Sequence, residues 1–171
     1  MNVPTTVNEA SDPRSCPCGS GWHYDRCCGI YHRLEQTAPT PEALMRSRYS
    51  AFALGGLGSY LVRTWDPDAI EPTLTSAALD RRDNQWLGLE IVGTRTTGAK
   101  ATVEFKARFR PWNAVSAEPV QTLHERSRFR RHRGDWLYID GVIDPPPAGS
   151  PSRNAPCPCG SGSKAKRCCL R

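Results

Sequence analysis

Along this chain the spacing of apolar side chains changes once, from a helical period to an alternating one. After Ala38-Pro39, Thr40 is placed to cap a helix, Pro41 fits its first position, and Glu42 suits the positive end of its dipole. The helix is expected to run through Leu44, Met45, Arg48, Ala51 and Phe52 and to stop at Gly55-Gly56. A second short helix over Leu57 to Trp65 breaks at Asp66-Pro67, and a third helical turn is expected around Ser76 to Arg82. From Trp86 the period becomes two, and Leu87, Leu89 and Ile91 alternate with polar neighbours. Ala101, Val103, Phe105, Ala107 and Phe109 share one parity, while Lys100, Thr102, Glu104, Lys106, Arg108 and Arg110 share the other. That is the signature of a half-buried antiparallel strand. Gln121 to Arg131 and Trp136 to Ile143 read as two more strands, joined by Arg133-Gly134-Asp135.

Helices followed by a run of antiparallel strands predict an α+β domain, with the helices packed on one face of the sheet. The boundaries follow from composition: a polar leader at 1–14, a cysteine motif at 15–36 and the α+β domain at 38–147. A Pro/Ser-containing linker at 148–154 and a second cysteine motif at 155–171 complete the chain.

The 171 residues suffice for one domain of ordinary size with small appendages. No apolar run approaches the roughly 18 residues a membrane span requires. The net charge is +6, and residues 148–171 supply most of it, with Arg153, Lys164, Lys166, Arg167 and Arg171 and no acidic residue. A short basic motif of this kind suits an acidic protein or an RNA surface.

Cysteine placement changes the picture most. Cys16-Pro-Cys18-Gly-Ser-Gly21 with Cys27-Cys28 recurs as Cys157-Pro-Cys159-Gly-Ser-Gly162 with Cys168-Cys169, at a constant offset and without a gap. These two sets use all eight cysteines of the protein. Four thiolates complement a tetrahedral zinc ion, and segments this short cannot bury a core of their own. The first pair would sit on a tight knuckle, and the second pair would reach the metal on a short helix. A disulfide framework is the competing reading. The polar stretch Met1 to Arg14 lacks an apolar signal segment, and adjacent cysteines such as Cys27 and Cys28 make strained partners. His23 lies within the first loop, but Lys164 stands at the matching position of the second, so sulfur ligands alone are expected.

The motif resembles the SEC-C zinc-binding motif at the C-terminus of the SecA translocation ATPase. The resemblance implies two bound zinc ions, with iron as the alternative metal, and docking to acidic proteins or to the ribosome. Lys164, Lys166 and Arg167 are the candidate partner-binding residues of the second copy. A second resemblance covers nearly the whole chain. Arg46-Ser-Arg-Tyr-Ser-Ala-Phe52, Thr64-Trp-Asp-Pro67, Trp86-Leu-Gly-Leu-Glu-Ile91, His124-Glu-Arg-Ser-Arg-Phe129 and Trp136-Leu-Tyr-Ile-Asp-Gly141 are similar to blocks of the bacterial YchJ family. That implies a nuclear-transport-factor-2-like cone, helices on a curved sheet, flanked by two small zinc ribbons. A cytoplasmic location is expected for the chain.

The central domain offers further candidates. Glu125 and Ser127 share the apolar parity of Leu123 and Phe129, so a carboxylate there would be desolvated unless a cation such as Arg48 paired with it. Glu125 is thus either the anchor of a small-molecule or catalytic pocket, or half of a buried ion pair joining helix to sheet. His124 and Asp140 are the other catalytic candidates. Arg126, Arg128, Arg130, Arg131 and Arg133, with Arg108 and Arg110, form a stripe that could face RNA or simply charge a sheet face. No phosphate-cradling loop and no compelling Ser-His-Asp spacing occurs. The reading that follows is a metal-binding adapter; the alternatives are a pocket enzyme or binder, and an RNA-binding protein.

Overall fold

The computed structural model describes residues 14–112, 119–145 and 163–167. Four helices come first: α1 (Cys28–His32), α2 (Pro41–Leu54), α3 (Gly58–Arg63) and α4 (Ser76–Leu79). Four strands follow: β1 (Asn84–Thr97), β2 (Lys100–Pro111), β3 (Gln121–His132) and β4 (Asp135–Ile143). Among the described residues no helix is long and apolar enough to cross a membrane.

Helix α2 starts and stops where its caps dictate. Thr40 Oγ1 accepts from the backbone N–H of Ala43 at 3.1 Å, with Pro41 in the first turn. Such a cap contributes about 1 kcal/mol. At the other end Gly55 adopts a φ of 72°, which a side chain would resist, and its N–H closes on the carbonyl of Ala51.

The strands form one antiparallel sheet in the order β1-β2-β3-β4. Leu44, Met45 and Tyr49 of α2 pack on Val103, Phe105, Phe129 and Trp136 of the sheet, forming the main core. On β2 the alternation is clean, and Ala101, Val103, Phe105 and Ala107 all point inward. On β1 it is not. Trp86 pairs with Phe109 and Gly88 with Arg108, so Leu87 is the extra residue of a bulge and stands 38% exposed. Alternation from Leu87 would place it in the core; the bulge turns it out, and Trp86, Leu89 and Ile91 pack there instead.

The segment after α3 joins the sheet at β4. Asp66 N–H donates to the Tyr138 carbonyl at 2.7 Å, and Tyr138 N–H donates to the Thr64 carbonyl at 2.9 Å. This tie brings Trp65 edge-on to Tyr138, with ring centroids 4.9 Å apart. A second apolar cluster, Ala51, Tyr60 and Leu61, holds α3 against the outer side of α2.

Candidate metal centre

The knuckle that presents Cys16 and Cys18 is built by backbone hydrogen bonds. Gly19 N–H donates to the Cys16 carbonyl at 3.2 Å, and Cys16 N–H donates to the Trp22 carbonyl at 2.8 Å. Gly19 and Gly21 carry φ values of 75° and 78°, which the turn requires and side chains disfavour. Residues Tyr24–Arg26 then form a 3-10 turn, and α1 begins at Cys28. The second cysteine pair therefore sits at the junction of two helical pieces, rather than on one short helix as the spacing predicts. The change of direction at Cys27, with φ −126° and ψ −113°, lets two adjacent residues aim at one point.

They do converge. The sulfurs of Cys16, Cys18, Cys27 and Cys28 all lie within 4.8 Å of one another. Cys18 Sγ and Cys27 Sγ are 3.7 Å apart, and Cys27 Sγ and Cys28 Sγ are 4.0 Å apart. An ion held tetrahedrally at bonds of about 2.3 Å spaces its thiolates by about 3.8 Å, so the donor set fits such an ion. None of the four is in a disulfide. His23 is not part of the group; its Nδ1 accepts from Asp25 N–H at 3.2 Å.

The four sulfurs respond unevenly to their crowding. Hydrogen bonding from Cys18 and Cys28 holds the Cys16 thiol far below its ordinary value, while hydrogen bonding to Cys16 pushes Cys28 far up. Burial pushes Cys27 up to about 11. A cation at the centre removes this conflict, because coordination deprotonates every ligating thiol. Two hydroxyls stand ready to donate to the resulting charge: Ser20 Oγ is 3.2 Å from Cys27 Sγ, and Ser50 Oγ is 3.6 Å from Cys16 Sγ.

Ser50 lies on α2, so the motif is joined to the central domain. Arg46 of α2 donates to the Cys18 carbonyl at 3.0 Å. His32, 8% exposed, spans the joint: one ring nitrogen is 2.9 Å from the Ser47 carbonyl and the other 2.7 Å from Tyr24 Oη. A carbonyl only accepts, so Nε2 carries the proton and Nδ1 accepts from the tyrosine. Ser20 was visible within the repeated motif; Ser50 and His32 were not, because nothing in α2 or α1 marks them except their position in space.

Cys157, Cys159, Cys168 and Cys169 lie outside the described residues, as do the linker at 148–154 and residues 1–13 of the leader. The described part of the second motif matches the first. Ala165–Arg167 form a 3-10 turn at the positions corresponding to Tyr24–Arg26. Arg167 N–H donates to the Lys164 carbonyl at 2.8 Å, as Arg26 N–H does to the His23 carbonyl at 3.0 Å. Lys164, Lys166 and Arg167 are exposed.

Residues 40–141 match the family model described as the YchJ middle NTF2-like domain, and residues 153–171 match the SEC-C motif. The chain belongs to the YchJ family. A UPF0225 protein of Serratia proteamaculans is 42% identical over 162 residues, covering 93% of this chain and 99% of that one. A UPF0225 protein of Pectobacterium carotovorum is 42% identical, covering 91% and 97%. A solution structure of a SEC-C motif containing protein from Rhodopseudomonas palustris shares 41% identity and a TM-score of 0.62, over 75% of this chain and 97% of that one. A crystal structure of a SEC-C motif containing protein from Psychrobacter arcticus shares 32% identity and a TM-score of 0.62, over 92% and 96%.

In this YchJ family member the central candidates have distinct placements. Glu125 and Ser127 line a cavity of 210 Å³ between α2 and the sheet, together with Arg48. No ion pair links Arg48 to Glu125 among the described residues; Ser127 Oγ donates to Glu125 Oε1 at 2.6 Å instead. His124 lies on the other face of β3, 2.9 Å from Glu104 Oε1, and Asp140 is bound by Arg128. The arginine stripe is largely satisfied within the chain. Arg126 pairs with Glu104 at 2.6 Å, Arg130 bridges Asp66 and Asp68, and Arg131 lies over the Trp136 ring.

Proposed function

We propose that the chain is a zinc-binding adapter that docks acidic protein or ribosomal partners in the cytoplasm through two SEC-C-like motifs, each holding one zinc ion. The observation that carries this reading is the convergence of four sulfurs at tetrahedral spacing. Zinc is the natural occupant of a closed four-thiolate site, where it organises a short segment and performs no chemistry. The repeated 3-10 turn extends the same reading to the second motif.

The docking surface in this reading includes the exposed Lys164, Lys166 and Arg167 of the second motif. On the first, Trp22 is 66% exposed and Arg26 is exposed beside the quartet. An exposed aromatic next to a fixed cation is a typical anchor for an acidic partner. The arginine stripe supplies little for a phosphate backbone, since Arg126, Arg128 and Arg130 already hold acidic partners.

The test is co-purification of ribosomes and proteins with the intact chain and with serine at all four cysteines of either motif. Loss of capture upon replacement, or upon chelation, is expected. Undiminished capture by either quadruple variant would contradict a docking role for that motif.

A further inference from the structure

The cavity beneath α2 contains two opposite charges that do not meet. Arg48 is 3% exposed, and its Nη1 donates to the Leu61 carbonyl and to Thr64 Oγ1, both at 2.7 Å. Its guanidinium lies 4.9 Å from the Trp65 ring centroid and 4.6 Å from that of Tyr138. These contacts fix the group in place, yet its Nε and Nη2 make no hydrogen bond among the described residues. Glu125 is fixed in turn. Its Oε1 accepts from Ser127 Oγ at 2.6 Å and from Tyr138 Oη at 3.4 Å, and its Oε2 makes no hydrogen bond among the described residues.

The guanidinium edge of the buried Arg48 and the second carboxylate oxygen of the half-buried Glu125 therefore face the cavity as a fixed donor pair and a fixed acceptor, without protein partners among the described residues. The Nε/Nη2 edge is a planar fork suited to a carboxylate, and Oε2 requires a donor. Between them the walls are aromatic: Trp65, Trp86 and Tyr138 all face the cavity. A cavity of about 150 Å³ holds one benzene ring, so 210 Å³ admits a ring with small polar substituents. Apolar walls with a few convergent polar groups are the usual composition of a small-molecule site.

We propose that this cavity binds a small aromatic carboxylate bearing a hydroxyl or amino group, with the carboxylate on Arg48, the ring among the aromatic walls and the donor on Glu125. The ligand completes both hydrogen-bonding sets and neutralises each fixed charge. An unsubstituted hydrocarbon fills the space and leaves both polar groups desolvated.

The proposal is tested on the full, metal-loaded chain with 4-hydroxybenzoate, benzoate, phenol and toluene as probes. Binding is followed through the indole resonances of Trp65 and Trp86, with that of the exposed Trp22 as an internal control. Saturable shifts at Trp65 and Trp86 are expected with 4-hydroxybenzoate, and benzoate and phenol should each bind at least tenfold more weakly. Glu125→Gln should weaken 4-hydroxybenzoate at least tenfold while changing benzoate less than twofold. Arg48→Met, where its fold is intact, should lose both carboxylates. Absence of shifts with every probe overturns the proposal. So does toluene binding as tightly as 4-hydroxybenzoate, equal binding of benzoate and 4-hydroxybenzoate, or an unaltered affinity in Glu125→Gln.

Discussion

The carboxylate of Glu125 on β3 occupies the space that a β-carbon on Gly141 of β4 would fill. Gly141 is thus the residue that lets a charged side chain lie flat across the neighbouring strand and reach Ser127. Gly141→Ala should push the carboxylate away, break the 2.6 Å hydrogen bond from Ser127 and destabilise the domain by about 1–3 kcal/mol. Denaturant unfolding of Gly141→Ala, Glu125→Ala and the double variant measures this. The double variant should lose less than the sum of the singles, because the clash disappears with the glutamate.

His32 couples the cysteine motif to α2, and its contribution should depend on pH. Burial holds its imidazole below the ordinary value of 6.5. The unfolded chain therefore takes up the proton first as pH falls, and stability rises with pH through that window. Stability linked to His32 should be fully present above pH 6.5 and decline below it. His32→Phe should cost on the order of 2–4 kcal/mol at pH 7.5, since it strands the Ser47 carbonyl and Tyr24 hydroxyl. It should also flatten the slope between pH 6.5 and 5, as read from thermal unfolding in a series of buffers.

Ser50 is fully buried, and its hydroxyl faces Cys16 Sγ at 3.6 Å. Donors around ligating sulfurs stabilise the charge those sulfurs carry, and their removal weakens metal binding by about 10–100-fold. Ser50→Ala should show a loss in that range when zinc is competed away with a chromogenic chelator. Ser59, on the exposed side of α3, provides the control.

What sequence pattern reveals here tracks how local the cause is. Thr40, Pro41 and Gly55 bound α2 through hydrogen bonds within four residues, and the structure places the helix where those residues predict it. The β2 alternation from Ala101 to Ala107 likewise needs only the strand period. The cysteine spacing foretold a common centre because few other arrangements accommodate Cys-x-Cys and Cys-Cys so near one another. Leu87 shows the first limit. Its bulge arises from the pairing of Trp86 with Phe109 and Gly88 with Arg108, which one strand alone does not encode. Arg48 and Glu125 show the second. Parity puts both toward the interior, but the carbonyl of Leu61 and the hydroxyls of Thr64 and Ser127, which keep them from pairing, come from other elements or the strand neighbour. His32 and Ser50 lie on segments with no motif, and only their meeting with Tyr24, Ser47 and Cys16 gives them a role.

The cysteine centre itself carries the account. Native mass spectrometry of the chain with serine at Cys157, Cys159, Cys168 and Cys169 counts the metal held by the first quartet alone. One divalent ion per chain is predicted, with Cys16, Cys18, Cys27 and Cys28 shielded from thiol reagents until a chelator is added. A chain that carries no ion when purified with zinc present, or whose four cysteines are joined as disulfides, would contradict it.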